Sequence, residues 1–61
     1  MFETTIDGFD FVLTNGICIV IVDDLEIGRF NTLNPDGLPT IGSQQEFEQE
    51  AMWWLYKNVQ V

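Results

Sequence analysis

The stretch Phe9-Asp10-Phe11-Val12-Leu13-Thr14-Asn15-Gly16-Ile17-Cys18-Ile19-Val20-Ile21-Val22 decides the fold. Asn-Gly between two apolar runs is the sequence of a type I′ hairpin, in which both central residues take positive φ. A two-residue turn fixes the register. It sets Thr14 opposite Ile17, Leu13 opposite Cys18, Val12 opposite Ile19, Phe11 opposite Val20 and Asp10 opposite Ile21. Side chains alternate across a sheet, so Phe9, Phe11, Leu13, Cys18, Val20 and Val22 share one face. Asp10, Val12, Thr14, Ile17, Ile19 and Ile21 share the other. Ile17–Val22 is apolar on both faces, the pattern of a strand with a layer above and a layer below.

On the N-terminal side, the apolar parity changes. Phe2, Thr4 and Ile6 are even, whereas Phe9, Phe11 and Leu13 are odd, and the switch falls at Asp7-Gly8. This marks either a second tight turn or a bulge in one long strand. The shortness of a five-residue first strand favours the bulge. On the C-terminal side, Asp23-Asp24 reads as a polar turn. Leu25–Thr32 follows as a further strand, with Gly28 inside it either weakening the strand or marking a close approach. Asn34-Pro35-Asp36-Gly37 has the residues of a type I turn, and Pro39 and Gly42 prolong an irregular connector. Ser43-Gln44-Gln45-Glu46 is a capping box. Glu46, Glu48 and Glu50 suit the positive end of a helix dipole and Lys57 the negative end. Phe47, Ala51, Trp54, Leu55 and Asn58 lie along one helical face, with Val59 beside it and Trp53 and Tyr56 off its centre.

The expected fold is α+β: a small antiparallel β-meander of three strands, four if Asp7-Gly8 is a turn, followed by one C-terminal α-helix packed on one sheet face. Strands occupy about residues 2–33, the connector 34–42 and the helix about 43–59, as a single small domain spanning 1–61. The helix is expected on the Phe9/Phe11/Leu13/Val20 face, which leaves Val12, Ile17, Ile19 and Ile21 as a bare apolar patch. A chain of 61 residues is marginal alone. Cys18 is its single cysteine and it has no histidine, so an internal disulfide and a structural zinc site are both out of reach. Oligomerisation is the remaining route to stability. The expectation is a homodimer or higher homo-oligomer, formed sheet to sheet or through swapped helices, with Trp53 and Tyr56 at the rim of the interface.

Net charge is −8, from ten carboxylates against Arg29 and Lys57. That balance argues against direct binding to nucleic acid or to an anionic membrane, and suits either a protein partner with a basic surface or plain solubility. The longest apolar runs are six residues, far from the ~20 needed to span a bilayer. Met1–Thr5 lacks the basic region of a signal peptide. The expected compartment is the cytoplasm, or a host cytoplasm for a viral product. Without histidine the commonest general base is missing. Ser43 is accounted for by its cap, and the threonines have no paired base. Asp7 with Asp10, and Asp23, Asp24 with Glu26, do not follow the spacing of a calcium-binding loop. No enzyme activity, cofactor or metal is therefore expected.

The acidic surface offers one further reading. Asp23, Asp24, Glu26, Glu46, Glu48 and Glu50 can display carboxylates where phosphates would lie, although glutamates at i, i+2 and i+4 do not line one helix face. The leading expectation is a non-enzymatic protein-interaction or structural module. The size and acidity fit a viral or mobile-element accessory protein. The alternative is an acidic inhibitor that blocks a basic nucleic-acid-binding surface, and a carboxylate-based metal protein or enzyme comes third.

Overall fold

In the computed structural model, which describes residues 1–59, four strands precede one helix. They are β1 (Phe2–Ile6), β2 (Phe9–Thr14), β3 (Ile17–Val22), β4 (Leu25–Asn31) and α1 (Gln44–Asn58). The strands form one open antiparallel sheet in the order β1-β2-β3-β4. The fold is α+β, with α1 packed on one face of the meander. All three hairpins close through two residues, Asp7-Gly8, Asn15-Gly16 and Asp23-Asp24, each pair at positive φ. The register that Asn15-Gly16 imposes on β2 and β3 is the expected one at all five pairs, from Thr14↔Ile17 to Asp10↔Ile21.

Asp7-Gly8 is a tight turn and not a bulge, so the meander has four strands. Although β1 is short, it pairs along its whole length, from Phe2↔Leu13 to Ile6↔Phe9. Phe2 and Ile6 also pack against the buried core, which supplies the anchorage that length alone does not.

The bulge lies elsewhere, in β4. Gly28 stands opposite Val20 and Glu26 opposite Ile21, which leaves Ile27 as the extra residue. One inserted residue changes the parity of a strand. Glu26 and Arg29, three apart, would otherwise point to opposite faces, but across the bulge they share one. The Arg29 guanidinium donates twice to the Glu26 carboxylate, Nε to Oε2 at 2.8 Å and Nη2 to Oε1 at 2.7 Å. Those hydrogen bonds, with the arginine's charge, hold the Glu26 carboxyl below its ordinary range.

The helix covers the face expected of it. Phe11, Cys18, Val20, Phe47 and Ala51 are wholly buried, and Leu13, Ile41 and Leu55 nearly so. The helix crosses the sheet from β1, where Phe47 stacks on Phe2 at 5.8 Å between ring centroids. It reaches Phe11, against which Trp54 sets its edge at 6.0 Å. Trp54 also lies directly over Gly28: a β-carbon there would stand 2.8 Å from Trp54 Cζ2. The glycine is therefore the close approach that the sequence allowed for.

The connector is held at both ends. Thr32 donates its N–H and its hydroxyl to the Gly16 carbonyl, both at 2.8 Å. Leu33 covers Gly16 so closely that any side chain there would collide with it. In the Asn34–Gly37 turn the Gly37 N–H donates to the Asn34 carbonyl at 2.9 Å. The Ser43 hydroxyl accepts from the Glu46 N–H at 3.2 Å, as a capping box requires. Glu46 returns to the Ser43 hydroxyl at 3.1 Å and to the Gly42 N–H at 3.3 Å, one residue earlier than the standard box.

Candidate interaction surface

Among the described residues, the face of the sheet away from α1 has no second layer. Its rows follow from the register: Glu3, Val12, Ile19 and Arg29 in one, and Thr5, Asp10, Ile21 and Glu26 in the next. Thr14, Ile17 and Asn31 form the row beside the Asn15-Gly16 turn. Val12, Ile17, Ile19 and Ile21 thus lie together on the two central strands, as expected from their parity. Each is half-buried, because branched side chains on adjacent strands shield one another. The outer strands supply the polar flanks. Glu3 stands on β1 and Glu26 with Arg29 on β4. Asp10, on β2, accepts from the Thr5 hydroxyl at 2.7 Å. Glu3, Asp10 and Asp24 border one shallow depression together with Val12 and Ile21. The surface is an apolar strip between carboxylates.

Trp53 and Tyr56 do not adjoin this strip. They lie on the outer side of α1, on the far side of the sheet, about 55% and 57% exposed. Their rings meet edge to face at 6.1 Å. Lys57 Nζ sits 5.5 Å from the Trp53 ring centroid. Gln49, Met52, Trp53 and Tyr56 line a shallow groove along the helix. The structure thus presents two separate apolar surfaces, where the sequence suggested one interface with an aromatic rim.

The six acidic residues are also divided. Asp23 and Asp24 form the β3–β4 turn, and Glu26 is engaged by Arg29 in edge strand β4. Glu46 serves the helix cap. Glu48 accepts from Gln44 Nε2 at 3.0 Å, and the same amide donates to the Glu3 carbonyl at 2.9 Å, tying the helix start to the opposite edge, β1. Glu50 follows on the helix. They make no single row.

Sequence reasoning missed Glu3 as a flank of the strip. Its partner Val12 becomes visible only when Asp7-Gly8 is read as a turn that folds β1 back onto β2. Among the described residues, no three histidine, cysteine or acidic side chains are grouped to hold a metal ion. No helix there is long and apolar enough to cross a membrane. The Cys18 thiol is buried on the helix side, and loss of solvation pushes it from 9.0 up to about 11, against the opposing effect of a hydrogen bond with the Val12 backbone. A thiol so placed is a poor nucleophile. Comparison with protein-family models, curated proteins and solved structures finds no match to this chain.

Proposed function

We propose that this chain is a non-enzymatic interaction module whose uncovered sheet face docks a protein with an apolar centre and a basic rim. One observation carries the reading: Val12, Ile17, Ile19 and Ile21 form a continuous strip, flanked by Glu3, Asp10, Asp24 and Glu26 with Arg29 as the one cation. The strip supplies contact area, and the carboxylates select the partner's charge and speed encounter. A second copy fits this face less well than a basic partner. Two copies meeting there can set Glu3 against Arg29 across their shared row, but the other acidic flanks meet like charges, at about 0.4 kcal/mol per pair at 10 Å in water before salt screening. A basic partner reverses the sign of each of those interactions.

The acidic-inhibitor reading shares the basic partner and differs in what recognises it. Mimicry of a phosphate backbone calls for a row of carboxylates, whereas Asp23-Asp24 close the β3–β4 turn, Glu50 lies by Asn31 and Thr32 at the other end of β4, and Glu48 is turned toward β1. The apolar strip therefore supports docking more than mimicry.

The test is capture on immobilised protein, comparing the native chain with Ile19→Asp. Proteins retained at low salt by the native chain are expected to be lost from the variant and to elute as salt is raised. Retention that is indifferent to Ile19→Asp, or that survives high salt unchanged, would overturn the reading.

A further inference from the structure

The outer stripe of α1 has the order of a surface that pairs with itself. At 100° per residue, Gln49 and Tyr56 mark the middle of the stripe, with Met52 to one side and Trp53 to the other. Met52, Trp53 and Tyr56 are each more than half exposed, although such side chains contribute most when desolvated. Along the Trp53 flank run Glu46, Glu50, Trp53 and Lys57, spaced i, i+4, i+7 and i+11 and therefore in line. The flank is acidic at its start and basic at its end.

We infer that two copies of the chain associate through this stripe, α1 against α1, in antiparallel sense. A twofold axis level with Met52 and Trp53 brings the flank against itself head to tail. Lys57 of each copy then falls between Glu46 and Glu50 of the other, and the contact is reciprocal, as an isologous interface demands. A parallel arrangement would instead set this flank against the Met52 flank, with Glu46 and Glu50 beside Glu48 and no carboxylate level with Lys57. Antiparallel pairing also opposes the two helix dipoles. Tyr56 meets Gln49 of the second copy at the centre, and Trp53 and Met52 fill the space on either side. The result is a four-layer stack, sheet-helix-helix-sheet, that keeps both uncovered sheet faces outward. The dimer does not depend on a partner at those faces, so the two proposals fail independently. One pair of fifteen-residue helices is a small interface, so the association is concentration-dependent.

Sedimentation equilibrium of the intact chain from low micromolar to about 1 mM tests this. A monomer–dimer equilibrium is expected. Trp53→Ala with Tyr56→Ala, both at exposed positions, is expected to weaken it at least tenfold while leaving the far-ultraviolet circular dichroism unchanged. Lys57→Glu is expected to weaken it too, and Lys57→Glu with Glu50→Lys to restore it. Arg29→Glu makes the same change in net charge on the other side of the sheet and is expected to leave the dimer intact. A monomer throughout the range would overturn the inference. So would a dimer indifferent to the Trp53/Tyr56 variant, a Lys57→Glu defect that Glu50→Lys does not relieve, or equal weakening by Arg29→Glu.

Discussion

Gly28 lies beneath the Trp54 indole, and the missing side chain leaves room for the ring that meets Phe11 edge to face. Filling that space forces either the indole or β4 to move. Gly28→Val is expected to cost about 1–3 kcal/mol, read as a lower urea midpoint. Cys18, on the same side of β3, makes a different demand. Its folded-state value of about 11 lies above its ordinary 9.0, so the fold favours the protonated thiol. Below about pH 9 both states keep the proton and this contribution is complete. Between about 9 and 11 the unfolded chain releases its proton first, and stability falls as pH rises. Urea unfolding at about pH 8 and about pH 10.5 is expected to show a larger loss for the native chain than for Cys18→Ala. At this scale the sequence was legible wherever one residue type has one use. Asn15-Gly16 and Ser43 are of that kind. Ile41, one of two aliphatic residues in the connector, gave no periodic signal to set it apart from exposed Leu38, yet it is buried at the edge of the core.

The three hairpins show how far a turn's chemistry determines an element. Asn-Gly leaves little choice, and the β2–β3 ladder follows from it. Asp-Gly suits both a type I′ turn and a bulge, and only the five-pair ladder between β1 and β2 decides for the turn. Asp23-Asp24 has no glycine, and Asp24 still holds φ at 65°. Left-handed backbone costs a residue with a β-carbon about 1–2 kcal/mol, less for aspartate, whose carboxylate can bond locally. Asp24→Gly is therefore expected to raise stability by about 0.5–1 kcal/mol, seen in the thermal midpoint. Unchanged or lower stability would mean that the Asp24 carboxylate contributes a compensating contact. The bulge at Ile27 leaves only a faint mark in the sequence, a change of apolar parity from Leu25 and Ile27 to Phe30 around Gly28. What sets it is tertiary: Gly28 must stand opposite Val20 and beneath Trp54, while Glu26 and Arg29 close their ion pair on the uncovered face.

On the scale of the whole molecule, one helix serves a sheet that is apolar on both sides of its central strands. The sequence favoured the covered face without deciding it, since Ile17–Val22 is apolar on both sides and only the bulk of Phe9, Phe11 and Leu13 against Asp10 and Thr14 separates them. The separation of Trp53 and Tyr56 from the isoleucine strip was not legible, because helical periodicity says which residues face away from the sheet but not how far that places them from its opposite side. The division into a buried and a free face is what the docking proposal rests on, and adjacent residues in β3 test it. Threonine suits a strand as well as valine and isoleucine do, so Ile19→Thr and Val20→Thr differ mainly in where the hydroxyl is placed. The measurement is the urea midpoint of the two variants against the native chain. Val20→Thr puts the hydroxyl in the core and is expected to lose about 1–3 kcal/mol. Ile19→Thr puts it on the free face and is expected to lose clearly less, about 1 kcal/mol at most. Equal losses, or a larger loss at Ile19, would contradict a sheet covered on one side alone.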